Sequence, residues 1–175
     1  MKRTKIHTTK KLEKVVKKLI VNDQNADCGL LGKWNATIFY VDRKKCWLFT
    51  NGLTVYNVIL TNIKASDLGA IEEIFKNTFY TQLIYDGIVI EFEYLDAIVG
   101  KLDFMKTDND RRMTGFQNQR LYELDLWKDQ FGSLDTMPIK ELTSRMNSGI
   151  IHIGKSRRME DYTDAIAEMK KRLAK

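Results

Sequence analysis

The sequence predicts an α+β domain: an antiparallel β-meander packed against several helices, with a helical C-terminal extension. Three observations carry that expectation. Residues 34–60 hold three runs rich in β-branched and aromatic residues, separated by short turn signals, which read as consecutive antiparallel strands. On both sides of them apolar residues recur with helical spacing, and no alternating strand–helix series of a doubly wound sheet is visible. Finally, 43% hydrophobic and 30% charged residues over 175 positions is a globular composition in a chain long enough to bury one core. One proline and ten glycines leave no proline-rich linker. The expected organisation is a core over residues 1–127 and an extension over 128–175 packed on it.

Residues 3–8 read as a short strand. A helix follows from about residue 10, in which Leu12, Val15, Val16 and Leu19 share one face and Thr8 or Thr9 is the N-cap. Lys10 and Lys11 occupy its first turn, where the helix dipole disfavours cations by a few tenths of a kcal/mol, roughly, which hints at another use for them. Residues 21–33 are polar and contain glycine, hence a loop. The meander strands are 34–41, 46–50 and 53–60. Asp42-Arg43-Lys44-Lys45 joins the first two and Asn51-Gly52, the strongest hairpin signal in the chain, joins the last two. Ser66 or Asp67 caps a helix with the stripe Leu68, Ile71, Phe75, Phe79 and Leu83, ending at Asp86-Gly87. A shorter helix covers 89–98, with Ile88-Val89-Ile90 open to a strand reading. Residues 101–107 read as a strand. Asn109-Asp110 begins a helix through Trp127 that carries Met113, Phe116 and Leu124, and 128–138 is a turn-rich break. Pro138 suits the first turn of a helix to about 146. Tyr162, Ile166, Met169 and Leu173 mark an amphipathic helix over 158–173.

The net charge of +6 is unevenly spread. Residues 1–20 carry eight basic side chains against Glu13 alone, residues 155–175 carry seven against four acids, and the body between them is net −4. The basicity belongs to the two ends, which makes them the contacts expected for an anionic partner. The plainer alternative is a solvated basic helix face. Cys28 and Cys46, with His7 and His152, are too few and wrongly spaced for a zinc site or a disulfide framework. No apolar run approaches a membrane span and no signal-peptide core is present, so a cytoplasmic protein without a membrane partner is expected. No motif implies a cofactor.

Gly149-Ile150-Ile151-His152-Ile153-Gly154-Lys155-Ser156 satisfies the P-loop expression, but its interior reads as a strand and no βαβ series accompanies it. We take the match as chance. Asp108 and Asp110 read as a helix-capping turn rather than a cation site. Trp34, Tyr40, Trp47 and Tyr56, beside Arg43-Lys44-Lys45, could stack single-stranded bases, although alternating aromatics are more often core. The most informative constellation is Arg111, Gly115, Asn118 and Tyr122, which line one face of the helix from Asn109. An arginine and an amide flanking a glycine there could hold a carboxylate, a phosphate or a base edge. Alternatively, Gly115 seats the helix against the meander.

Thr9-Lys10-Lys11-Leu12 after an Ile-His strand, Trp34-Asn35-Ala36, Asp42-Arg43-Lys44, Thr50-Asn51, Asp67-Leu68, and Asn109-Asp110-Arg111 with Gly115 and Asn118 occur in an order that resembles a bacterial domain-of-unknown-function family, found also on plasmids and in phages. The resemblance covers residues 5–127 and Met137-Pro138-Ile139-Lys140. Gln119 departs from it, standing where an acidic residue is expected, which weakens any acid-based role there. The resemblance implies a small prokaryotic or mobile-element protein and no established activity, and it adds interest to Lys10, Lys11, Arg43, Asn51, Arg111 and Asn118.

The expected function is a non-enzymatic binding module that contacts nucleic acid through basic termini, with Lys10, Lys11, Lys14, Arg43, Lys44, Arg111 and Asn118 as nucleic-acid or partner contacts. The alternatives are a protein-binding regulator, such as an antitoxin or a phage-encoded anti-defence inhibitor, and an enzyme with a polar site around Arg111.

Overall fold

Five strands form one mixed sheet in the order β4-β3-β2-β1-β5, with helices on both faces. The computed structural model describes residues 2–22, 29–154, 156 and 158–174. The meander is β2 (Trp34–Val41), β3 (Lys44–Asn51) and β4 (Asn57–Leu60), paired antiparallel throughout. The N-terminal strand β1 (Arg3–Thr8) and β5 (Lys101–Met105) continue the sheet past β2, and both pairings of β1 are parallel. The domain is thus α+β with a meander, as expected, and two parallel strands extend it.

Strand alternation divides the core in two. On one face Ile6, Trp34, Ala36, Trp47, Phe49 and Phe104 pack against Leu12 and Val16 of α1 (Lys10–Val15) and its exit, and against α2 (Ile71–Tyr85) and α3 (Phe92–Val99). Trp34 meets the rings of Phe75 and Phe79 of α2 edge-on at 5.3 and 5.1 Å. On the other face Phe39, Val41, Cys46, Leu48 and Ile59 pack against Leu124 of α4 (Arg111–Phe131) and against Leu142 and Met146 of α5 (Ile139–Ser148). Trp34, Trp47 and Tyr56 are therefore core residues, not a stacking surface, and only Tyr40 of that group is exposed.

Each sheet edge is capped at one position, which takes up part of its open strand-pairing groups. Outside β5, the Val21 N–H donates to the Phe104 carbonyl at 2.8 Å. Outside β4, the Asn147 side chain of α5 accepts from the Asn57 N–H at 2.8 Å and donates to the Asn57 carbonyl at 3.1 Å. Asn147 also reaches Asp86, which accepts the Tyr56 hydroxyl at 2.5 Å. Burial and the Asp86 charge together push the Tyr56 phenol upward.

Three local expectations are corrected. The positive-φ hairpin turn is not at Asn51-Gly52 but at Asp42 and Arg43, with φ of 49° and 60°. The Asn51 side-chain oxygen instead accepts from the N–H groups of Leu53 and Thr54, building a wider turn, and the third meander strand begins only at Asn57. Second, Tyr162 is not on the last helix. It belongs to β7 (Tyr162–Asp164), which pairs with β6 (Ile150–His152), and α6 (Ala165–Leu173) begins after the Asp164 cap. Third, Pro138 stands just before α5 instead of inside its first turn. The P-loop-like stretch contains strand β6, as its apolar interior suggested. Lys155 and Cys28 lie outside the described residues.

Candidate functional site

Two adjacent parallel strands, β1 and β5, send the chain to opposite faces of the sheet: β1 runs into α1 on one, β5 into α4 on the other. Such a divergence opens a crevice at the strands' carboxyl ends, the usual ligand position in open sheets with parallel strands. Here the crevice is a hollow of about 490 Å³ lined by Lys5, His7, Val21, Asn22, Met105, Lys106, Thr107 and Asp108. Asn22 and Lys106 also line a neighbouring hollow of about 460 Å³ with Glu13, Lys14, Lys17 and Ile20. Thr107 also lines a third, of about 600 Å³, with Asn109, Arg111, Thr114, Gly115 and Asn118. The shared residues set the first two hollows side by side as one groove, with the third adjoining it at Thr107.

Charge distinguishes its parts. Lys5 comes from β1, Lys14 and Lys17 from α1 and its exit, and Lys106 from the end of β5. Lys14, Lys17 and Lys106 make no ion pair among the described residues. The His7 Nδ1 lies 3.0 Å from the Lys106 carbonyl, which can only accept, so Nδ1 carries the hydrogen and Nε2 is the ring's remaining polar atom.

The floor between groove and α4 is a fixed ionic knot. Lys33 Nζ donates to Asp108 at 2.5 Å and to Asp110 at 2.9 Å. Asp108 also accepts from the Asn35 amide at 3.1 Å and the Asp110 N–H at 3.2 Å. Asp110 accepts from the Met113 N–H at 3.1 Å, which caps α4 as expected from the sequence. The cation held by the two carboxylates is therefore the Lys33 ammonium. Burial alone would lower the Lys33 pKa, but the bonds and charges of Asp108 and Asp110 outweigh it and raise it. Burial likewise opposes the charged Asp108, yet the Lys33 bond and the Asp110 N–H hold its pKa below the usual carboxylate range. At Asp110 the Lys33 bond is the main cause of the same lowering.

Past this knot, α4 presents Arg111, Gly115, Asn118 and Tyr122 to solvent. A glycine inside a helix costs about 1 kcal/mol relative to alanine. A Cβ added at Gly115 would meet nothing within 4 Å, so the residue does not seat α4 against the meander, the alternative the sequence left open. Instead, Gln117 anchors the helix by donating to the Asn35 carbonyl at 2.9 Å.

The residues singled out in the sequence fall in three places. Lys14 lines the groove, and Lys10 and Lys11 are exposed on the same short helix, whose Thr9 N–H bonds to the Ala36 carbonyl. Arg111 and Asn118 line the third hollow. Arg43 and Lys44 lie at the far end of β2, about 17 Å beyond Ala36 along the strand, and Lys44 is paired with Asp135 at 2.9 Å. Lys5, Lys17, Lys33 and Lys106 were not singled out. Lys5 and Lys17 do fall in the basic segment 1–20, and Lys106-Thr107-Asp108 directly follows a strand and precedes a helix cap, the position where a parallel strand delivers a ligand-binding turn.

No curated protein and no solved structure matches the chain. The family model for the domain of unknown function DUF6933 matches residues 5–168, from β1 into the first turn of α6. That range takes in all three hollows and reaches beyond the stretch over which the sequence motifs showed a resemblance. The chain belongs to the DUF6933 family.

Proposed function

We propose that this protein is a non-enzymatic binding module for a polyanion, nucleic acid first of all. The observation that carries this reading is the groove itself: Lys5, Lys14, Lys17 and Lys106 line two adjoining hollows from three separate segments, with Lys106 common to both. Lysine is a point-charge binder of phosphate that needs no fixed fork geometry, so spaced lysines along a groove suit a flexible polyanionic backbone. Lys10 and Lys11 extend the basic surface along the same helix. Their unfavourable place in its first turn agrees with a role outside the helix's own stability.

A salt titration tests the reading. Four phosphate contacts give a log–log slope of about −2.8 to −3.6, hence a roughly 50- to 150-fold loss of affinity between about 50 and 200 mM salt. Each of Lys14→Gln, Lys17→Gln and Lys106→Gln should make the slope shallower by about 0.7–0.9. Undiminished slopes in all three variants would remove the groove from the interface. Absence of any oligonucleotide binding at low salt would overturn the reading in favour of a protein partner. For that alternative, Ile150, Met159 and Tyr162 provide an exposed apolar surface near the C-terminus.

A further inference from the structure

We propose that the hollow over Gly115 receives an unpaired nucleobase, so that the ligand of the groove is single-stranded. The inference rests on the polyanion reading and adds which form of nucleic acid is bound and where a base is read.

Glycine is kept inside a helix for a left-handed backbone or for close approach. Gly115 is not among the positive-φ residues, and nothing in the chain comes within 4 Å of where its Cβ would be. What remains is approach from outside. The bare backbone at Gly115 forms part of the floor of a hollow of about 600 Å³, rimmed by Arg111, Thr114 and Asn118 of α4 and by Thr107 and Asn109 of the preceding turn.

That rim mixes donors and acceptors. Arg111 only donates, whereas the Asn118 amide and the threonine hydroxyls do both. A phosphate would use donors alone. The edge of a base offers both kinds of group, and asparagine and arginine are the side chains that pair with adenine and guanine edges. In duplex form such an edge is reached only through a groove, while in a single strand the base is free to enter a hollow.

Continuity with the lysines supplies the direction of the strand. Thr107 lines both the His7 crevice and the Gly115 hollow and follows Lys106 directly in the chain, so a backbone held by Lys106 adjoins the base site, with Lys14 and Lys17 further along in the neighbouring hollow. One turn beyond Asn118, Tyr122 is 65% exposed on the same face of α4 and offers a stacking surface for the next base. Arg112, by contrast, is engaged elsewhere: it lies over the Phe116 ring at 5.3 Å and donates to the Gly52 carbonyl at 3.4 Å.

Gly115→Ala is the decisive variant, because its effects on folding and on binding run in opposite directions. Alanine meets no neighbour and is the better helix former, so the melting temperature should rise by about 2–4 °C. Binding of a short fluorescent single-stranded oligonucleotide of mixed sequence should weaken about tenfold or more, with an unchanged salt slope, since no charge is lost. Asn118→Ala, at an exposed position, should weaken binding and flatten the preference among homopolymeric strands. Wild-type protein should bind the single strand more tightly than a duplex of the same sequence. Equal binding of duplex and single strand, or a stabilised Gly115→Ala that binds as wild type does, would overturn the base site while leaving the lysine groove standing. Loss of all binding by the wild type at low salt would instead overturn the polyanion reading on which it rests.

Discussion

Replacing Lys33 by methionine keeps the aliphatic stem and removes the ammonium that holds Asp108 and Asp110. The side chains are 35%, 17% and 27% exposed, so each ion pair is screened and contributes up to about 1 kcal/mol rather than the larger value of a buried pair. Two such bonds, with two carboxylates left facing each other, give an expected loss of about 1–2 kcal/mol at neutral pH. The pH dependence follows from the direction of the shifts. Asp108 and Asp110 have folded pKa values below their unfolded ones, so their stabilisation is complete above about pH 4 and is lost as pH falls through the folded values. Lys33 is raised, so its contribution is complete below its unfolded value near pH 10.4, roughly, and is lost as pH rises through the higher folded one. Urea unfolding followed by fluorescence of the buried Trp34 and Trp47 should therefore show a wild-type advantage that is flat from about pH 5 to 9 and shrinks as pH falls below about 4. A difference that is absent at pH 7, or that does not shrink as the solution is acidified below about pH 4, would refute the ionic knot as the link between the β2 entry and α4.

Two further substitutions test the backbone of the sheet away from the groove, at the start of β5 and at the β2–β3 turn. Gly100 has φ of +61° and its added Cβ would lie 2.0 Å from the Lys2 carbonyl, so Gly100→Ala should cost more than about 3 kcal/mol or prevent folding, measured by thermal melting; a near-wild-type melt would contradict the β1–β5 junction described here. Arg43→Gly relieves a left-handed arginine and should stabilise by about 0.5–1 kcal/mol, while a loss of stability would mean that the turn is not of the positive-φ hairpin type.

Local features were legible in the sequence where the cause is local. Thr9 accepts from the Leu12 N–H, Asp110 caps α4, and Gly87 ends the Asp86 turn at φ +76°, each a short-range hydrogen-bonding or φ requirement. Asn51-Gly52 misled because the Asn51 side chain satisfied the turn's N–H groups in another way, while Asp42-Arg43 accepted left-handed φ without a glycine. Tyr162 fits the helical stripe of Ile166, Met169 and Leu173, but Asp164 caps the helix after it and Tyr162 pairs with His152. The parallel pairing of β1 with β5 joins Ile6 to Phe104, and no window of sequence contains both. The groove inherits that difficulty: Lys5, Lys17 and Lys106 meet only after the sheet is assembled, as do Lys33 and Asp108. Arg111, Gly115 and Asn118 were visible because one helix carries them all.

Backbone amide chemical-shift mapping with a short single-stranded oligonucleotide at low salt locates the ligand most directly. Binding in the groove predicts shifts concentrated at Lys5, Lys14, Lys17, Lys106, Thr107, Gly115 and Asn118, fading as salt is raised. Shifts confined to the Arg43–Lys44 hairpin end or to the C-terminal residues 158–174, with the groove amides unmoved, would contradict it.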